Sequence, residues 1–445
     1  MSEFWAAPLQ ETVKSTGRLV RSHARSEDVI EWLSLYSESA PTSSNQGTSN
    51  QPFQRWFSFK EAFSPKFVTD TLNSLPYPVA SCLDPFSGSG TTALTCRMLG
   101  ISSEVVEVNP FLADLVEAKL SKISVADFSR DYEAVVSGIE YLPEDELLLP
   151  GMPKTLAEPG VNGRYVFELD VYKTIRALVR RAGGLKSEHS KLLRVLLGSL
   201  LVENSNVTIN GKGRRYRKNW QQRKRTVQDL ISGLDSYVDM AVADLTKFSG
   251  IPSPGFKVHR GDARLALKDV ESADVAIFSP PYPNSFDYTD VYNLELWMLG
   301  YLNSSEENQA LRHNTLRSHV QTKWKDSTRI VRSPLLFFVA NELRLQRKEL
   351  WNPHIPEMIE YYFNDLFVIF SHLKRILDKG HHAVVAIGDS QYAGVHIDVA
   401  AILAECVEPL GFHLVERGSI RSMRNSAQHG GKLSLSEHCL VFERT

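Results

Sequence analysis

Residues 83–92 read LDPFSGSGTT, and the fold follows from how this stretch is parsed. The apolar run VASCLD (79–84) has strand character. It gives way after Asp84 to a turn carrying Gly88 and Gly90, and helical periodicity begins near Thr91. The free N–H groups of that helix's first turn point into the glycine turn, where glycines let a ligand approach the backbone closely. Downstream, SSEVVEVNPFLADLVEAKL (102–120) reads as a second apolar strand, ending at Glu107, and a second helix. Strand alternating with helix at this spacing predicts a parallel α/β sheet.

Glu107 lies 23 residues beyond Asp84, at the end of the second strand, where a carboxylate can take both hydroxyls of a ribose. A lone glycine pair is also compatible with an ordinary tight strand-to-helix turn. The acid at the second strand end favours a nucleotide-like ligand. No GxxxxGK[ST] is present, so a phosphate-binding ATPase site lacks its lysine. A sulfonium cofactor, carrying an amino acid and a cationic sulfur, suits a carboxylate-edged pocket better than a pyrophosphate, and Asp84 is expected to face its positive charge.

The strand rhythm weakens between about 120 and 250. VYKTIRALVRRAG, KLLRVLLGSLLVEN and TVQDLISGLDSYVDMAVADL have helical periodicity and predict a mainly helical insertion. The α/β pattern resumes with FKVHRGDARLAL and ADVAIFSPPY, and it closes with HAVVAIGDS, IDVAAILAECVEPLG, FHLVERGSI and HCLVFER. The expected organisation is an N-terminal extension (1–50), a first sheet segment with the cofactor site (51–120), the insertion (121–255), and a second sheet segment (256–445). The last contains a candidate recognition insertion at 303–355.

Ser279, Pro280, Pro281 and Tyr282 follow a buried apolar strand, which puts them at the carboxyl edge of the sheet beside the glycine turn. An aromatic amine is a poor nucleophile because its lone pair is delocalised into the ring. Acceptors on its hydrogens, here Ser279 Oγ and the Pro280 carbonyl, help to localise that pair. The two prolines hold the acceptors in place, and Tyr282 offers a ring on which an extruded base can stack. No general base is required, because the amine becomes acidic once methylated. The alternative, a proline-rich strand exit with a core tyrosine, loses ground once the glycine turn is considered with it.

DPFSGSGTT and SPPY together resemble the motifs of the amino-group DNA methyltransferases, which make N4-methylcytosine and N6-methyladenine. The resemblance implies a Rossmann-like α/β sheet and S-adenosyl-L-methionine as cofactor. It further implies catalytic roles for Ser279, Pro280, Pro281 and Tyr282. The cofactor would be bound by Phe59, Lys60, Asp84, Phe86, Ser87, Gly88, Gly90, Thr91, Glu107, Asn109 and Asp262. Within that set FSFKEAFSP (57–65) lines the methionine end, Glu107 holds the ribose and Asp262 lies near the adenine. Serine at the first catalytic position is typical of cytosine-N4 enzymes, whereas aspartate or asparagine is typical of adenine-N6 enzymes. The glycine turn precedes SPPY here, whereas many family members with this spelling have the reverse order.

Lys and Arg (50) nearly balance Asp and Glu (52), so affinity for a polyanion must come from local patches. KGRRYRKNWQQRKR (212–225) contains eight basic residues, two interleaved aromatics and no acid, which predicts phosphate contacts and stacking. Its candidate DNA contacts are Lys212, Arg214, Arg215, Tyr216, Arg217, Lys218 and Trp220; the alternative is a solvated charged face. LRHNTLRSHVQTKWKDSTRIVRS (311–333) is a second candidate. Neither the four scattered cysteines nor the histidines have metal-ligand spacing, so no metal is expected. No run suits a signal peptide or a membrane span, and a cytoplasmic protein is expected, nucleoid-associated in a prokaryote.

The sequence thus predicts a methyltransferase acting on double-stranded DNA, with cytosine N4 favoured, beside a cognate restriction or other defence protein. The competing readings are adenine N6, an RNA base, and a non-catalytic DNA-binding subunit.

Overall fold

The structure, a computed structural model, describes residues 27–35, 43–48, 50–210, 213–251, 253–322, 324, 331–424 and 433–445. Its strands in chain order are β1 (Ser81–Asp84), β2 (Ser102–Glu107), β3 (Val207–Asn210), β4 (Gly213–Tyr216), β5 (Phe256–Arg260), β6 (Ala273–Phe278), β7 (Leu377–Gly388), β8 (Ser390–Tyr392), β9 (Val395–Ile397), β10 (Phe412–Arg424) and β11 (Leu433–Arg444). Seven of them form one sheet in the order β10-β11-β7-β6-β1-β2-β5. From β5 to β7 all neighbours are parallel, whereas β11 is antiparallel to both β7 and β10. This is the doubly wound order 3-2-1-4-5-6 of a Rossmann-like sheet with one antiparallel strand inserted before the last position. The expected Rossmann-like fold is present.

The strand order reverses between β1 and β6. A crevice opens there beyond the strand carboxyl ends, the usual place for a ligand in such a sheet. β1 delivers the glycine turn to that crevice and β6 delivers SPPY, although the two motifs are nearly 200 residues apart.

Both faces of the sheet are covered, which explains why ADVAIF is almost continuously apolar. Val275 and Ile277 pack with Phe67 and Val68 of the helix Pro65–Ser74 and with Cys96 of the helix Thr91–Leu99. Ala276 and Phe278 point the other way, into a core shared with the helices Ile355–Ile376 and Val399–Val407. All four cysteines are free and buried.

The helices Leu169–Ala182, Ser187–Leu201 and Val227–Lys247 share a core with Leu94, Met98, Phe111 and Leu115 of the sheet-covering helices. Contact is close at Gly198, where a Cβ would lie 2.9 Å from the Phe111 ring. Asp244 ties this layer to the site. It is 2% exposed, and it accepts the Phe53 N–H (3.0 Å) and the Trp56 indole N–H (2.9 Å) while pairing with Arg55. The segment leading into FSFKEAFSP is therefore pinned by the inserted helices.

The expectation of little strand in this region misses the antiparallel hairpin β3–β4. Its four-residue strands are too short to show a period against the helices around them. Among the described residues, no helix is long and apolar enough to cross a membrane.

Candidate active site

The turn after β1 is shaped from below by Asp84. Its carboxylate accepts the Phe86 N–H at 2.9 Å, an Asx-type arrangement that starts the turn. Gly88 and Gly90 follow with φ of +52° and +79°, conformations that side-chain-bearing residues rarely adopt. Their neighbours leave no room either: a Cβ on Gly88 would lie 2.9 Å from the Phe59 ring, and one on Gly90 would lie 2.9 Å from Val116.

Glu107 closes the turn from the end of β2. Its two oxygens accept the N–H groups of Gly88 (2.7 Å) and Asn109 (2.8 Å). Asn109 in turn caps the helix Pro110–Leu120, accepting the Phe111 N–H at 3.0 Å through Oδ1. Its Nδ2, like the Ser87 hydroxyl, is buried and has no protein partner. Two unpartnered buried polar groups and an anchored carboxylate at a glycine cradle fit the polar end of a nucleoside-containing ligand.

A cavity of about 370 Å³ joins this turn to SPPY. Phe59, Lys60, Phe86, Ser87, Gly88, Thr91, Glu107, Asn109, Asp262, Ser279, Pro280, Pro281 and Tyr282 all line it. Two expected cofactor residues do not. Gly90 faces Val116, and Asp84, 1% exposed, is spent on the turn's backbone, so it shapes the site from beneath and does not face a ligand's charge. Asp262 lines the wall but is paired with Arg264 at 2.7 Å, and Arg264 also reaches the buried Asp365 at 2.9 Å.

The cavity wall also contains residues outside the expected catalytic and cofactor set, among them Glu61. Ser43 comes from the N-terminal extension; Leu311, Asn314, Thr315, Leu316, Ser318 and His319 come from the second basic stretch; Arg421, Met423 and Glu437 come from β10 and β11. Glu61 was the most accessible of these to sequence reading, since it sits within the quoted FSFKEAFSP. It accepts the Tyr292 hydroxyl at 2.6 Å.

Burial dominates the acids of the turn. It pushes the Glu107 carboxyl up to about 8 and that of Asp84 up to about 7, against the lowering effect of their hydrogen bonds. Both values lie above the ordinary carboxyl range, so the folded chain retains protons that the unfolded chain has already released. The stability these two groups contribute is complete in acid below their unfolded pKa values. It is lost progressively as pH rises from the ordinary carboxyl range to 7 to 8, where these groups ionise in the folded chain. A ribose that donates hydrogen bonds to Glu107 selects the ionised form. Cofactor binding at pH 7 should therefore release protons, as measured by calorimetry in buffers of different ionisation enthalpy, and Glu107→Gln should abolish that release. Unchanged proton release in the variant would contradict this assignment.

The basic run is not one continuous face. Arg215 and Lys218 are exposed, whereas burial pulls the Arg214 guanidinium down, opposed by Tyr216, Asp290 and Glu295 nearby. Arg217 donates to the Val202 carbonyl at 3.2 Å. Tyr216 lies under Arg164, and Trp220 packs edge-on against Tyr165. Lys212 lies outside the described residues. β4 itself packs on the helix Tyr288–Val291, just beyond SPPY, so the hairpin borders the SPPY segment. Among the described residues, no cluster of His, Cys, Asp or Glu could hold a metal ion.

No family model matches the chain. Comparison with curated proteins gives similarity over most of the chain: the Type II methyltransferase M.AvaI of Nostoc sp. (strain PCC 7120) is 27% identical over 428 residues, covering 87% of this chain and 86% of that protein. This chain is a homologue of Type II methyltransferases. M.AvaI of Anabaena variabilis matches to the same extent. M.BsoBI of Geobacillus stearothermophilus is 24% identical, covering 90% of this chain and 87% of its own length. The similarity to Type II methyltransferases thus spans the inserted helices as well as the sheet. Among solved structures, the rRNA methyltransferase aviRa of Streptomyces viridochromogenes covers 95% of the chain, at 12% identity and a TM-score of 0.27, too loose a match to bear on this fold.

Proposed function

We propose that the chain methylates the exocyclic amine of a DNA base, with cytosine N4 the favoured target, as the modification enzyme of a restriction-modification pair. The observation that carries this reading is that one cavity is lined both by Gly88 and Glu107 and by Ser279 and Tyr282. The homology to Type II methyltransferases supports DNA as the substrate.

The methyl donor is S-adenosyl-L-methionine, which supplies an electrophilic methyl group on a cationic sulfur. Glu107 holds its ribose, the unpartnered Ser87 hydroxyl and Asn109 amide take its polar groups, and Phe59 and Phe86 add apolar walls. Ser279 Oγ and the Pro280 carbonyl accept hydrogen bonds from the target amine and sharpen its lone pair. The donor would supply its methyl carbon to that pair, the C–S electrons leaving with sulfur, and the surplus proton would pass from the methylated nitrogen to solvent.

Exposed Arg215 and Lys218, on and beside a hairpin that borders the catalytic segment, supply phosphate contacts, and 311–322 overhangs the cavity where an extruded base enters. Each of Arg215→Ala and Lys218→Ala should lower the log-log salt slope of duplex binding by about 0.9 while leaving cofactor affinity unchanged. Unaltered slopes would move the DNA contact elsewhere. The function itself is tested by offering labelled cofactor with unmethylated duplex DNA or bulk RNA. Label in DNA alone is expected, and label in RNA alone would refute the proposal.

A further inference from the structure

Glu437 is a carboxylate in the middle of β11, a strand whose neighbouring residues Leu435, Cys439 and Leu440 are buried, and it is 1% exposed. It lines the cavity beside SPPY. The Tyr282 hydroxyl donates to its Oε1 at 2.5 Å, Arg421 Nε donates to its Oε2 at 2.5 Å, and the Ser43 hydroxyl donates to Oε2 as well. Ser279 Oγ stands 3.4 Å from the Tyr282 hydroxyl, completing a chain from the serine to the buried Glu437 and its half-buried partner Arg421.

The direction of the hydrogen bonds along this chain follows from the donor inventory. An ionised carboxylate accepts and cannot donate, and a phenol has one proton. With that proton committed to Glu437, the Tyr282 oxygen faces Ser279 as an acceptor. The single Ser279 proton then points toward Tyr282, and the lone pairs of Ser279 Oγ are left for the substrate. We propose that Glu437, clamped by Arg421, is the positioning residue that sets this polarity, so that Ser279 meets the exocyclic amine as an acceptor and not as a competing donor. The proposal rests on the amine-methylation reading above.

The charge at the far end also polarises each bond in the chain, raising the electron density on Ser279 Oγ. The 3.4 Å link is long, of the kind that shortens when a substrate fills a site. Tyr282 is held for both tasks. Its ring lies against Gly388, where a Cβ would come within 2.8 Å of it, while its hydroxyl is fixed by Glu437.

Glu437→Gln keeps the shape but reverses the polarity. Arg421 retains the amide oxygen, the amide N–H group faces Tyr282, and the tyrosine and serine protons are driven toward the substrate. Tyr282→Phe keeps the stacking ring and removes the relay. Each variant should lower kcat for methyl transfer to duplex DNA at least tenfold, with the cofactor Kd within twofold of wild type and a cooperative thermal melt. The double variant should be no slower than the slower single variant, because both act through one chain; independent structural damage would multiply instead. Turnover of Tyr282→Phe within twofold of wild type overturns the relay whether or not Glu437→Gln folds, and so do multiplying losses. A wild-type protein that binds S-adenosyl-L-methionine yet methylates neither cytosine nor adenine in duplex DNA overturns instead the substrate reading beneath it.

Discussion

Gly88→Trp should bind no S-adenosyl-L-methionine at concentrations that saturate the wild type. Three independent features converge on this glycine. Its φ of +52° is unfavourable for any residue with a Cβ, at a cost of about 1–2 kcal/mol. Its Cβ position is already taken by the Phe59 ring at 2.9 Å, so an indole must displace that ring or enter the cavity. Its N–H fixes Glu107 at 2.7 Å, so a shifted turn also releases the carboxylate proposed to hold the ribose. Equilibrium dialysis with labelled cofactor measures the effect, and a thermal melt checks that the sheet survives. Wild-type affinity in this variant would place the cofactor elsewhere.

Ser279→Ala should separate chemistry from binding. The serine lines the cavity from the end of β6, and its hydroxyl bonds Tyr282 rather than Glu107, Asn109 or Gly88. Losing a single well-placed hydrogen-bonding group at a reacting centre costs about 100- to 1,000-fold in kcat in comparable sites. A kcat drop of about 100-fold with unchanged cofactor Kd is therefore expected in single-turnover kinetics. Equal losses in kcat and cofactor affinity would make Ser279 a structural part of the turn.

What the sequence revealed and what it concealed divide by the range of the interactions. The glycine turn, Glu107 and SPPY are legible because each is a local unit, a strand running into a special backbone conformation, and because β6, β1 and β2 are adjacent in the doubly wound sheet. Asp84 is legible as part of the motif but not in its role: its hydrogen bond to Phe86, two residues away, shows that it builds the turn from below. Glu437 stands 158 residues after Ser279, and only the antiparallel insertion of β11 between β7 and β10 brings it to Tyr282. An acid inside the largely apolar run LSLSEHCLVF was its one visible signal.

The basic run shows the same limit. Composition marks KGRRYRKNWQQRKR as a candidate polyanion contact, yet composition cannot tell that Arg214 is withdrawn from solvent while Arg215 stays in it. Nor does helical periodicity reveal that Asp244, deep in the insertion, holds the chain that enters the cofactor site. The inserted helices therefore position Phe53 to Trp56 and the segment that follows.

The most direct test of the whole account is the identity of the product. Unmethylated duplex DNA incubated with the protein and S-adenosyl-L-methionine, digested to nucleosides and resolved by mass spectrometry, should yield N4-methylcytosine. A methyl group found on a ring carbon, or found in RNA and absent from DNA, would contradict it.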